Sequence, residues 1–233
     1  MTMRYMLGAY WPARKESVEE CASRLHAFLA QLTASDSALV TWYERAQSRK
    51  RALRKSADTG DRNYLQSLLN QGRNRRDVGH TVIDELGFHV GLWNGGDARS
   101  EAGLSVTCGL YWVSPTPNAS MSNCVVLHLP TDLGELNQTE RMAHLLAATA
   151  RAWEPDWAGV MSNESMKARG FDASAPFVDW MVYVPRQIRG VPPPSSVIAL
   201  KGLGSLITVH PTPPLNDPEE APRVRKIEAV LFG

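Results

Sequence analysis

Apolar positions recur with two periods along the chain, and those periods predict its elements. Val18, Cys21, Ala22, Leu25, Phe28, Leu29 and Leu32 fall at the i, i+3, i+4, i+7 spacing of a helix with one buried stripe. Ser17 opens that helix. Its hydroxyl can accept the backbone N–H of Glu20 while the Glu20 carboxylate reaches back to the Ser17 N–H, a reciprocal capping box. Ahead of it, Tyr5 to Trp11 is aromatic and aliphatic and stops at Pro12, which predicts a strand and a turn. The clearest pattern in the chain is therefore a β-α unit at its start.

Further along, Leu39 to Tyr43 is a short apolar piece, and Tyr64, Leu65, Leu68 and Leu69 make a brief helical stripe bracketed by Gly60 and Gly72. Thr81 to Leu86 reads as one or two helical turns stopped at Gly87, and Phe88 to Trp93 as a strand ending in the turn Asn94-Gly95-Gly96. Leu104, Val106, Cys108, Leu110 and Trp112 alternate with Ser105, Thr107 and Gly109, the signature of a half-buried strand. Pro115 to Asn123 reads as a loop, and Cys124 to Leu129 as a strand, apolar apart from His128. A second long helix is predicted from Asn137, where Glu140 repeats the capping logic; its stripe is Met142, Leu145, Leu146, Thr149 and Trp153, and Pro155 ends it. This strand and helix echo the opening unit and point to two related β-α lobes.

Trp157 to Met161 and Phe177 to Val184 read as strands, followed by a hairpin of Val197 to Leu200 and Ser205 to Val209 turning at Lys201-Gly202-Leu203-Gly204. Asp217-Pro218-Glu219-Glu220 opens a final helix whose apolar face is Val224, Ile227, Val230 and Leu231. Strands cluster between helices without regular βαβ alternation. The expected class is α+β: a mixed, mainly antiparallel sheet with helices packed on it, forming a single domain over residues 1–233.

Composition narrows the functional classes. With 43% hydrophobic and 21% charged residues the chain is ordinary globular, which excludes disorder. No apolar run approaches the roughly 20 residues needed to span a bilayer. The first residues carry an Arg and a Trp-Pro break where a signal peptide needs a continuous apolar core, so a cytoplasmic protein is expected. Cys21, Cys108 and Cys124 are odd in number and lack C-x-x-C spacing, which supports neither a zinc site nor a disulfide framework; Cys108 and Cys124, on neighbouring strands, are the pair able to approach. The six histidines include no H-E-x-x-H. His80 and Asp84 have helical spacing that suits a base and its orienting carboxylate, but a plain surface pair outweighs that reading. There is no G-x-S-x-G elbow and no Walker loop. No catalytic residue, metal or cofactor is expected, and the chain does not read as an enzyme.

The net charge of +1 conceals an asymmetry. Arg45, Arg49, Lys50, Arg51, Arg54, Lys55, Arg62, Arg73, Arg75 and Arg76 crowd one segment, 45–76, which could serve a nucleic-acid-binding protein or small nuclease, although a solvated face accounts for it more simply.

A set of ordered motifs suggests a different role. Gly8-Ala9-Tyr10-Trp11, Arg14-Lys15-Glu16-Ser17 and Glu20-Cys21-Ala22 are followed by Trp42-Tyr43, Ser48-Arg49-Lys50 and Ala52-Leu53. Ile83-Asp84-Glu85-Leu86-Gly87-Phe88, Trp93-Asn94-Gly95 and Trp153-Glu154-Pro155-Asp156-Trp157 complete them. In this order they resemble the bacterial immunity protein 52 family across nearly the whole chain. The resemblance implies an antitoxin of a polymorphic toxin system, of the type VI secretion effector-immunity kind. Such a protein would bind and neutralise a toxin with a restriction-endonuclease-like nuclease domain; no membrane partner is expected, and nucleic acid is the less favoured partner. A nuclease needs a basic surface for its substrate, so the acids outside the basic segment form the candidate contact set. These are Asp84, Glu85, Asp97, Glu101, Asp132, Glu135, Glu154 and Asp156, with Trp93 and Trp157 at turn or strand borders as apolar anchors.

Overall fold

The computed structural model describes residues 4–113, 123–214 and 220–233. In chain order its elements are β1 (Tyr5–Trp11), α1 (Val18–Ser35), β2 (Tyr43–Glu44), α2 (Arg49–Ala52), α3 (Arg62–Gln71), β3 (Phe88–Trp93), β4 (Gly103–Cys108), β5 (Asn123–His128), α4 (Thr139–Trp153), β6 (Trp157–Ser162), α5 (Asn163–Arg169), β7 (Met181–Val184), β8 (Ser196–Leu200), β9 (Gly204–Thr208) and α6 (Glu220–Phe232). Among the described residues the strands form one sheet, in the order β2-β3-β4-β5-β1-β6-β7-β9-β8. Every pairing is antiparallel. This is an α+β fold, as the strand clustering predicts.

The opening strand lies at the middle of that sheet, between β5 and β6. All seven of its residues are buried, because both faces of the sheet are covered there. Tyr5, Leu7, Ala9 and Trp11 belong to the main core with α1, α3 and α4, whereas Met6 and Tyr10 pack with Trp157, Met161 and Phe177. The two β-α units predicted from sequence thus meet as neighbours. β1 and β5 pair directly, and Leu25, Phe28 and Leu29 of α1 share one core with Leu145, Leu146 and Trp153 of α4. Trp153 stacks on Trp11 at 5.5 Å between ring centroids and meets the edge of Phe28 at 6.3 Å. A further apolar cluster under α6 joins Val178, Val182 and Ile207 to Val224, Ile227 and Leu231.

Helix ends follow the sequence where the signal is local. The capping box at Ser17 is formed, with Ser17 N donating to Glu20 Oε2 at 2.7 Å and Glu20 N to Ser17 Oγ at 3.2 Å. At α4 the predicted Asn137 cap is displaced. Gly134–Asn137 winds into a 3-10 turn that buries Leu136, so the cap moves one residue on, to Gln138, which makes no side-chain cap bond. The helical turns expected over Thr81 to Leu86 shrink to a 3-10 turn at Asp84–Leu86. Thr81 and Ile83 spend their backbone groups instead on Arg76 and Asn74. His80 and Asp84 therefore share no helix, and Asp84 pairs with Arg73.

Other departures have local causes. β4 stops at Cys108 because Gly109 turns the chain at φ +68, so Leu110 and Trp112 leave the alternation. β7 begins only at Met181, although Phe177, Val178 and Trp180 before it are buried. Val230 is 37% exposed and lies off the buried face of α6. The predicted loop from Pro115 and the capping residues Asp217 to Glu219 fall outside the described residues, except that Asn123 opens β5. The cysteine that Cys108 meets is Cys21, not Cys124. Cys108 shares a hydrogen bond with Cys21 of α1, which together with burial pushes its thiol well above the ordinary value, while Cys124 sits opposite Thr107. All three cysteines are free thiols.

Candidate functional site

The second face of the sheet is covered over β1, β6, β7 and β9 but left partly open over β3, β4 and β5. Register aligns the outward residues of those three strands in rows. His89 lies opposite Thr107 and then Cys124, Gly91 opposite Ser105 and Val126, and Trp93 opposite Gly103 and His128. Two of these positions are glycines. A Cβ on Gly91 would lie 3.1 Å from Arg45 Cδ, and one on Gly103 would lie 3.2 Å from Arg45 Nη2, so the missing side chains let Arg45 lie along the sheet.

Where Arg45 crosses the end of the sheet, a groove of about 610 Å³ opens, lined by Arg4, Arg45, Arg49, Trp93, Asp97, Glu101 and His128 among others. That volume is in the range of small-molecule and peptide pockets. Its walls are ordered. Arg49 sits over the Trp93 ring at 5.4 Å and donates to the Gly95 carbonyl at 3.2 Å. The Trp93 ring meets Tyr43 at 6.2 Å, and its indole N–H is buried without a hydrogen-bond partner among the described residues. Asn94 fixes the rim loop: its amide donates to Ala38 O and Ser100 O, and its oxygen accepts from Gly96 N and Ala102 N. Asp97 accepts from the backbone of Ser100 and Arg99 and from the Ser100 hydroxyl. These bonds, those from Ser100 foremost, hold its carboxyl down to about 2.

His89 and His128 touch solvent yet sit among protein atoms, and that crowding, reinforced by the Arg45 charge, lowers both their pKa values. A histidine whose folded pKa is depressed binds fewer protons than in the unfolded chain. Its contribution is therefore present above the unfolded value of about 6.5 and is lost as pH falls toward the folded one. Arg45→Met should raise both imidazole pKa values and lessen the loss of stability on acidification. Imidazole NMR titrations of the variant and wild type check this; two unchanged pKa values would contradict the placement of Arg45.

The sequence-predicted contact residues do not form one patch. Asp97, Glu101, Asp132 and Glu135 lie at the Trp93 end of the sheet, with Asp132 N bonded to Arg99 O. Asp84 and Glu85 precede Phe88, and Glu154 and Asp156 adjoin the Tyr10-Trp11 end of β1. The two groups are separated by the length of β3, about 20 Å at the usual strand rise. Three of the acids are already paired internally: Asp84 with Arg73, Glu135 with Arg141 at 2.9 Å, and Glu154 with Arg24 at 2.9 Å. Trp157 departs furthest from expectation. It is 2% exposed, stacks on Tyr10 at 4.7 Å and donates its indole N–H to Ala173 O, which leaves it nothing to offer a partner. Trp93, Asp97 and Glu101 do come together.

The basic segment is divided in the same way. Arg73 belongs to the Phe88 end, whereas Arg45, Arg51, Arg54 and Lys55 line a second depression that shares Arg45 with the groove. Sequence reasoning missed Arg4, which no local signal marks, and His128, whose one signal is a polar residue in an otherwise apolar strand. Among the described residues no group of three or more His, Cys, Asp or Glu is placed to hold a metal ion, and no helix is long and apolar enough to cross a membrane.

A family model described as Immunity protein 52 matches residues 3–229. Among solved structures, the chain is similar to Pseudomonas aeruginosa T6SS protein PA0821, with a TM-score of 0.56 and 14% identity over 98% of this chain and 72% of that one. At that identity the likeness is one of fold. No curated protein matches the chain.

Proposed function

The chain belongs to the immunity protein 52 family, and from that membership we propose that it is an antitoxin that neutralises a cognate toxin by binding it in a stoichiometric complex, without catalysis. The family match, from residue 3 to residue 229, carries this reading. The groove supports it, since it offers a half-buried indole ring beside charges of both signs. Aromatic and arginine side chains of this kind dominate protein interfaces. Of the sequence-predicted residues, Trp93 is the assigned contact, with Glu101 on the wall of the same groove. Asp97 acts chiefly by shaping the rim, since three hydrogen bonds already fall on one carboxylate oxygen.

As part of the same proposal, the toxin carries a restriction-endonuclease-like nuclease domain, which the family resemblance suggests, and is delivered by type VI secretion, in keeping with the T6SS description of the structural neighbour. The antitoxin then acts in the cytoplasm, where an incoming nuclease meets its substrate, and protects the producing cell and its kin. Coexpression tests this. Cells carrying an inducible toxin from the neighbouring reading frame should survive when this chain is supplied and die when it is withheld; equal killing in both would remove the antitoxin reading.

A further inference from the structure

Arg4, Arg45 and Arg49 reach the groove from two separate parts of the chain: the residue before β1, and the short connection that runs from the end of β2 to the first residue of α2. None of the three has a carboxylate at ion-pair distance among the described residues. Elsewhere the fold treats converging arginines differently. Arg14 and Arg24 approach the same place and Glu16 lies between them, at 3.2 Å and 2.7 Å. In the groove no carboxylate lies between the arginines in this way: Asp97 and Glu101 stand on its wall, beyond ion-pair distance, and Asp97 is already occupied by its bonds to Arg99 and Ser100.

Two of these arginines are also held in position. Arg45 is laid on the sheet by the absence of side chains at Gly91 and Gly103, and Arg49 is fixed by the Trp93 ring and the Gly95 carbonyl. A guanidinium that is already oriented binds a carboxylate through two parallel N–H···O bonds with less loss of side-chain freedom than a mobile one. The surroundings reinforce the sign. From Glu44 to Lys55 the chain carries six cations against the single acid Glu44. That acid is already engaged by Lys55 at 3.3 Å and by the Tyr64 hydroxyl at 2.9 Å.

We propose that this groove receives an acidic segment of the partner protein, whose carboxylates pair with Arg45 and Arg49 while an apolar side chain rests on Trp93. The proposal rests on the reading of the chain as a binding protein, and it reverses the polarity suggested by the sequence, in which this chain supplies the acids. A nucleic-acid strand fits less well, because a backbone with a charge on every nucleotide cannot avoid Asp97 and Glu101 in the same groove, whereas a peptide can set its carboxylates at Arg45 and Arg49 and neutral residues beside those acids.

The experiment uses the full chain and the toxin domain encoded beside it. Arg45→Glu with Arg49→Glu should weaken the complex about 30-fold or more, since a desolvated carboxylate on the partner would then face like charge. The milder pair Arg45→Gln with Arg49→Gln should weaken it in the same direction, with the fold of each variant checked by circular dichroism. A photocrosslinker at Ala46, on the groove wall, should capture a toxin peptide in which Asp and Glu outnumber Lys and Arg. Wild-type affinity in both double variants, or capture of a neutral or basic peptide, would overturn the acidic-segment proposal while the antitoxin reading stands. Failure of the wild type to form any complex would overturn both. A 20-nucleotide strand that binds the wild type and not the glutamate variant would overturn it in favour of nucleic acid.

Discussion

Trp153→Ala is expected to destabilise the protein by about 3–5 kcal/mol, the range for removing a fully buried tryptophan from a packed core. Trp153 has 0% exposure, and it is the side chain through which α4 meets both the central strand, by stacking on Trp11, and α1, by the edge of Phe28. Its loss would leave a cavity at the junction of three elements that cannot collapse together, because β1 is held on both sides by strands. Urea unfolding of variant and wild type measures the difference. A change below about 1 kcal/mol would mean that the helices do not depend on this junction.

Trp93→Ala should weaken binding to the toxin by about 30-fold or more while leaving unfolding nearly unchanged. Truncation of a central aromatic anchor commonly costs about 2 kcal/mol or more in binding. In this protein it also removes the ring beneath Arg49. Stability should change little, because Trp93 closes an outer strand beside the two-residue β2 rather than filling the main core. Calorimetric titration with the toxin domain gives the affinity and a thermal melt gives the control. A dissociation constant within threefold of wild type would place the interface elsewhere.

These two tryptophans also show how much the sequence reveals. Trp153 was legible as core because its position completes a helical stripe, and a stripe is a local pattern that needs no knowledge of partners. Trp157 was not, since a strand start looks the same whether one face or both are covered; only the pairing of β6 between β1 and β7, with Phe171 and Phe177 above it, buries the ring. Trp93, Asp97 and Glu101 line one groove because Asn94-Gly95-Gly96 turns the chain beside them. The wider acidic patch did not form, because proximity in sequence says nothing about which end of the sheet a loop reaches.

The groove itself lies furthest from anything a linear reading provides. Arg4, Arg45, Trp93 and His128 are neighbours only through the register of β1, β5, β4 and β3. A shift of one residue in any pairing would turn their side chains to the opposite face. The glycines that admit Arg45 carry a signal that becomes readable only after the fact. Gly91 and Gly103 occupy outward positions of strands whose inward positions are all apolar, and a glycine there marks a close approach by another part of the chain.

The central claim is that this chain acts by occupying its toxin and not by turning over a substrate. The most direct measurement is a titration of the purified toxin's nuclease activity with the purified chain, at toxin concentrations well above the dissociation constant. Stoichiometric binding predicts activity that falls in a straight line and reaches zero at one equivalent. Full toxin activity in the presence of excess chain, or inhibition completed by a small fraction of an equivalent as an enzyme would achieve, would contradict it.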